Sequence, residues 1–215
     1  MRPIGERPSP ATVWTELREG NERFVSGAPR HPRQDVDRRH ELASAQKPRA
    51  ALFGCSDSRL AAEIIFDQGL GDLFVVRNAG QVASDSAIAS LEYAVAVLDV
   101  SVVIVLAHDD CGAVRAAIDS TALESPELPP HIWRLIAKIV PAARSVLRGS
   151  EVIDPRELDA ELVGRAHLGN TIDDVLASSR LISDAVAAGS LAIVGANYRL
   201  NEGRAIPHVM VGLDA

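Results

Sequence analysis

The stretch "RAALFGCSDSR", residues 49–59, passes without a break from an apolar run into a cluster of thiol, hydroxyl, carboxylate and guanidinium. Ala50 to Gly54 show no polar alternation. The run therefore reads as a strand buried on both faces, ending at Cys55, and such strands belong to parallel sheets with helices on each side. Cys55, Asp57 and Arg59 then follow at every second position. They stand just beyond the carboxyl end of a strand, where open α/β sheets gather their ligands.

Working outward, the same alternation continues. Residues 60–68 read as helix, "LFVVRNAG" (73–80) as a second strand closed by Asn78 and Gly80, and "SDSAIASLEYAVAVLDV" (84–100) as a helix capped by Ser or Asp. "SVVIVLAH" (101–108) is a β-branched third strand ending at His108, and "CGAVRAAIDS" (111–120) restarts a helix. A Pro-rich loop from Ser125 to Pro130 leads to helices around 131–148 and 155–187, with Gly189 just past the last. "SLAIVGANY" (190–198) is a fourth strand and "LNEGRA" (200–205) a tight turn. The expected fold is α/β: a central, mostly parallel four-stranded sheet of order 2-1-3-4 flanked by helices, with a short C-terminal edge strand allowed for. No glycine-rich loop follows strand one, which argues against a nucleotide-binding doubly wound domain.

Ahead of this, "SPATVWTELREGNERFVSG" (9–27) reads as a helix with Ser9 as N-cap and Pro10 at the first position, presenting Trp14, Leu17, Phe24 and Val25 on one face. A basic stretch (Arg30 to Arg39) and a short helix near Arg38 to Gln46 complete an N-terminal arm, residues 1–45, before the main domain, 46–215. The arm's apolar face needs cover, either its own core or a second subunit.

The 215-residue chain, 47% hydrophobic and 24% charged, can bury a substantial core. A net charge of −7 gives it no electrostatic attraction to nucleic acid or anionic lipid. There is no apolar run of membrane-spanning length, and the N-terminus lacks the apolar region of a secretory leader, so a cytoplasmic location is expected. The chain has only two cysteines, Cys55 and Cys111, which is no disulfide framework. They are core filling, nucleophiles or metal ligands.

With strand order 2-1-3-4, strands one and three lie side by side at the reversal, and Cys55 meets His108 and Cys111. Two thiolates and an imidazole make a tight zinc site whose fourth position holds either water, the open catalytic pattern, or Asp57, the closed structural one. The bland reading of Asp57 and Arg59 is a loop ion pair. His31, His40, His131, His167 and His208 suggest solvated surface positions, and none stands out as a proton shuttle.

"CSDSR" (55–59) followed by "HDDCGA" (108–113) resembles the β-class carbonic anhydrases, and the likeness extends through "AQKPRAALFGCSDSR", "GDLFVVRNAG", "LEYAV" and "LAIVGANY". The resemblance implies one zinc per chain on Cys55, His108 and Cys111, and reversible hydration of carbon dioxide to bicarbonate by zinc-bound hydroxide. It implies that Asp57 orients that hydroxide, serving also as a conditional fourth ligand, and that Arg59 fixes and ionises Asp57. It further implies that Gln46 donates into a neighbouring subunit's site, that Phe74 and Tyr93 wall the pocket, and that Ala79 stands where some relatives carry a larger residue. The Gly112 N–H, at a helix start, would meet a developing anion. A homodimer or homotetramer is implied, with the N-terminal helix as a clasp. Hydrolysis of carbonyl sulfide or carbon disulfide on the same scaffold, and a non-catalytic zinc module, are the rival readings.

Overall fold

A computed structural model describes residues 7–125 and 127–213; the reading of the extreme N-terminus as leaderless falls partly on residues outside these. Its centre is a five-stranded sheet of order β2-β1-β3-β4-β5, formed by β1 (Ala50–Cys55), β2 (Leu73–Asn78), β3 (Val102–His108), β4 (Ala192–Arg199) and β5 (Arg204–Val211). The first four pair in parallel, with Phe53 opposite Val76 on one side and Val105 on the other. The expected order is therefore observed. The edge strand is no short appendage: β5 is as long as β4 and runs antiparallel to it across the Gly203 turn.

Every residue of β1 and β3 is buried, as their unbroken apolar sequences require. Alternate side chains divide between two cores. Leu52, Ile104 and Leu106 pack with α1 (Pro10–Val25), α5 (Gly112–Asp119) and α7 (Val140–Arg148). Phe53, Val103 and Val105 face α4 (Asp85–Ala96), α8 (Ala160–Ser178) and α9 (Arg180–Ala187). Truncating a side chain such as Phe53, fully inaccessible at the centre of β1, would cost about 3–5 kcal/mol. Both layers hold the sheet rigid, so the carboxyl ends of β1 and β3 are fixed relative to each other.

Helix α1 begins as expected, with the Ser9 side chain accepting from the Thr12 N–H at its start. Val13, Trp14 and Leu17 of α1 are buried in the chain's own core. Asn21 ties the helix down, donating to the Ile65 and Gly203 carbonyls and accepting from the Ala205 N–H. At Gly20 a Cβ would lie 1.9 Å from the Phe66 carbonyl oxygen, so only glycine permits this approach. Any clasp on another subunit would use the remaining, polar face of α1. The next helix is α2 (Val36–Glu41), capped by Asp35, a few residues earlier than its sequence suggests.

Two helical segments differ from expectation for local reasons. Residues 60–68 hold only the single turn α3 (Ala62–Ile65): Asp67 takes a left-handed backbone, φ 46°, where the helix ends. The 155–187 segment is a 3₁₀ turn, α8 and α9. It breaks at Ser179, whose extended backbone ends α8 while its hydroxyl accepts from the Ile182 N–H and donates to Glu92. Residues 131–148 likewise divide into α6 (Pro130–Ile136) and α7.

Candidate metal centre

Cys55 ends β1, His108 ends β3 and Cys111 caps α5. Between the last two, Asp110 adopts φ 50°, a left-handed turn that brings Cys111 back toward the strand it has just left. The ligand atoms of Cys55, His108 and Cys111 all lie within 4.8 Å of one another, and all three residues are buried.

These donors fit a zinc ion. The His108 Nδ1–H donates to its neighbour's carbonyl, Asp109 O, at 2.7 Å, which leaves Nε2 as the lone-pair nitrogen facing the sulfurs. That Nε2 is buried and without a hydrogen-bond partner, a costly arrangement unless a cation takes the lone pair. The thiols are poised as well. The Cys111 thiol donates to Cys55 and, with help from the Gly80 N–H, draws Cys55 below the ordinary thiol range against its burial. Sharing that proton, and burial, push Cys111 far above the ordinary thiol range. Burial disfavours charge on His108, but the Cys55 sulfur outweighs it and raises the imidazole.

Asp57 stands beside this triad rather than within it. Arg59 holds the carboxylate in a fork, Nε to Oδ1 at 2.9 Å and Nη2 to Oδ2 at 2.7 Å, and its backbone N–H adds a third bond to Oδ1. The guanidinium keeps Asp57 well below the usual carboxylate range, hence ionised. Oδ2 lies 3.9 Å from His108 Nε2. The other partner of this loop is Arg77, which donates to the Cys55 and Asp57 carbonyls and so braces the backbone that carries both side chains.

The remaining sequence candidates are dispersed. Gly112 opens α5 immediately after Cys111, its N–H at the helix start. Ala79 is exposed and follows β2 directly. Phe74 and Tyr93 meet each other, ring centres 6.1 Å apart, and Tyr93 is 46% exposed. Gln46 and Tyr93 line a surface groove of about 650 Å³ with Leu42, Leu70 and Leu98, which none of the three triad residues lines.

A search against protein families matches the family described as Carbonic anhydrase over residues 50–205. The chain belongs to the β-carbonic anhydrase family. It is 48% identical to Carbonic anhydrase 2 of Mycobacterium tuberculosis over 204 residues, 95% of each chain, and 44% identical to the carbonic anhydrase of Mycolicibacterium smegmatis over 91% of this chain and 92% of that one. Among solved structures it superposes on a tetrameric β-carbonic anhydrase from Sordaria macrospora with a TM-score of 0.70 at 23% identity, covering 94% and 99% of the two chains. The β-carbonic anhydrase CcaA gives a TM-score of 0.69 at 27% identity, covering 92% and 98%. This carbonic anhydrase is thus a zinc enzyme for the reversible hydration of carbon dioxide, with Cys55, His108 and Cys111 as the cluster that can bind the metal. Neither the carbonyl sulfide and carbon disulfide hydrolase nor the non-catalytic zinc module is favoured. No helix among its described residues is long and apolar enough to cross a membrane.

Two contacts around the metal cluster escaped the sequence reading. Gly80 donates its N–H to Cys55 Sγ at 3.3 Å. His167, expected on the surface, is 3% exposed inside the fold, with Nε2 2.7 Å from the Gly80 carbonyl oxygen. The signal for it was the period of α8: Val163, His167, Thr171 and Val175 recur every fourth residue on one buried face.

Proposed function

We propose that Asp57 orients the nucleophile of carbon dioxide hydration and that Arg59 keeps it in that role. The observation that carries this reading is the Arg59-clamped carboxylate 3.9 Å from the unpartnered His108 Nε2. Zinc held by Cys55, His108 and Cys111 supplies the Lewis acidity that makes a water nucleophilic at neutral pH. Asp57, ionised, accepts a hydrogen bond from the attacking water and turns its lone pair toward the substrate carbon. Both lobes of the Arg59 fork are occupied, which fixes the carboxylate plane and opposes its swing onto the metal. Released from that fork, Asp57 would become a fourth ligand. We assign the Gly112 N–H to meet negative charge on the product, and Phe74, Ala79 and Tyr93 to the apolar approach.

The same reading makes the enzyme a homodimer or homotetramer in the cytoplasm, residues 1–45 an arm and 46–215 the catalytic unit. Gln46 and Tyr93 flank a groove beside β2, the half-buried edge strand of the sheet, apart from the triad of their own chain. A second subunit seated there would receive Gln46 into its own site. The deciding experiment is carbon dioxide hydration across pH with metal analysis on wild type and Asp57→Asn. One zinc per chain in both, with steep loss of turnover in the variant, is expected; unchanged turnover would overturn the role of Asp57.

A further inference from the structure

The loop that joins β2 to α4 is tied down on every side. Asn78 closes it, donating through Nδ2 to the Val82 carbonyl at 2.8 Å and accepting from the Val82 N–H at 2.7 Å. The Gly80 backbone is left-handed, φ 78°, and a Cβ there would sit 2.8 Å from Ile139 and 2.9 Å from Ala113. Ala113 belongs to the first turn of α5, the helix that Cys111 caps. α8, which packs against α5 and α7, reaches in with two side chains: His167 Nε2 meets the Gly80 carbonyl oxygen at 2.7 Å, and Thr171 Oγ1 donates to the His167 and Gln81 carbonyls.

We infer that His167 is a positioning residue for the metal centre: its Nε2–H holds the Gly80 carbonyl, which sets the loop so that the Gly80 N–H points at the Cys55 sulfur. A carbonyl oxygen only accepts, so this contact requires the proton on Nε2. The other ring nitrogen, Nδ1, is then an acceptor, and it is buried without a partner. Its protonation would create an unpaired buried donor, and burial accordingly lowers the affinity of His167 for a second proton. A neutral, single-tautomer imidazole in the core is an expensive way to fill space where α8 otherwise presents Val163, Leu168 and Ile172. Its use is at the other end of the loop. An N–H bond to the sulfur fixes the Cys55 side chain in one orientation, so the loop holds this ligand in place for the metal. The route is therefore from α8 through one carbonyl and one amide to the ligand at the end of β1.

This inference rests on Cys55 being a zinc ligand, and its test separates the two. Wild type, His167→Leu and His167→Gln are compared for zinc affinity by chelator competition and, as cobalt forms, for the thiolate-to-cobalt absorption band. Leucine fills the space without the donor; glutamine restores an N–H toward Gly80. The expected result is about tenfold weaker metal binding and a displaced band in His167→Leu, with most of both regained in His167→Gln. Equal behaviour of His167→Leu and wild type overturns the proposal. Equal impairment of both variants also overturns it, because the role is then packing. Should His167→Leu fail to fold, ¹⁵N NMR of the zinc-loaded wild type decides: a proton on Nε2 supports the relay and a proton on Nδ1 alone removes it. A wild type that binds no zinc would instead discard the metal-centre reading itself.

Discussion

Arg59 and Asp57 are joined by two parallel hydrogen bonds, Nε to Oδ1 at 2.9 Å and Nη2 to Oδ2 at 2.7 Å, although only one residue separates them in the chain. The fork turns an exposed loop cation into the restraint on a carboxylate that faces the zinc ligands. Arg59→Met should leave the three ligand residues in place yet lower hydration activity at least ~10-fold, as expected when the group that orients a carboxylate beside a metal is lost. The sign of the pH effect follows from the ion pair. Asp57 is held below the usual carboxylate range, so in wild type it stays ionised throughout the neutral and mildly acid range. Without Arg59 its protonation moves up, and the acid limb of the activity profile should move up with it. Stopped-flow hydration against pH, with zinc content measured on the same samples, checks both.

Gln46 lines a groove beside β2 rather than the triad of its own chain. If it serves the neighbouring subunit, two impaired variants should complement. Mixing Asp57→Asn with Gln46→Ala, after dissociation and reassociation, creates sites with an intact Asp57 from one chain and an intact Gln46 from the other. Activity above that of either variant alone is expected. No gain in mixtures shown to contain hybrids would place Gln46 outside the site.

Removing zinc exposes two close thiols and an imidazole to each other in a buried site. With free zinc at one hundred times Kd the metal contributes about 2.7 kcal/mol to the folded state. For a domain of this size that amounts to about 5–10 °C in Tm. Calorimetry of the zinc-loaded and chelator-treated protein should show this fall, reversed by adding zinc back; equal midpoints would argue against tight binding.

Asp67 fastens the end of α1 and the segment that follows it. Its side chain is 1% exposed and accepts from Arg23 Nε at 2.6 Å, from the Arg30 N–H at 3.0 Å and from the His31 N–H at 2.9 Å. Burial alone would raise this carboxyl, but the backbone donors and Arg23 prevail and lower it. A depressed folded pKa contributes stability above the unfolded carboxylate value of about 3.9, and loses it as pH falls through the folded value. Asp67→Ala, which strands Arg23 and two backbone donors, should cost about 3 kcal/mol by urea denaturation at pH 7. The difference from wild type should shrink in acid below pH ~4.

Much of this enzyme could be read along the chain because the relevant forces are local or periodic. Unbroken apolar runs define β1 and β3, since a strand covered on both faces has no polar side. Ser9 and Pro10 start α1 where their own chemistry requires. His108 and Cys111 share one turn, so their association needs no tertiary knowledge. Joining Cys55 to them took one further step, the strand order, which the alternation of strands and helices made predictable.

The sequence by itself determined the parallel α/β sheet, the ligand types and the Asp57–Arg59 pairing, because apolar periodicity and close spacing carry that information. Tertiary structure alone decided that α1 spends its apolar face on its own core, that helix 155–187 breaks at Ser179, and that His167 is inside. Those outcomes depend on partners distant in sequence: the Phe66 carbonyl against Gly20, Glu92 against Ser179, and the Gly80 carbonyl against His167. A histidine bears no mark along the chain of which carbonyl it will meet; only packing two layers against one sheet brings α8 within hydrogen-bonding distance of the loop that serves Cys55.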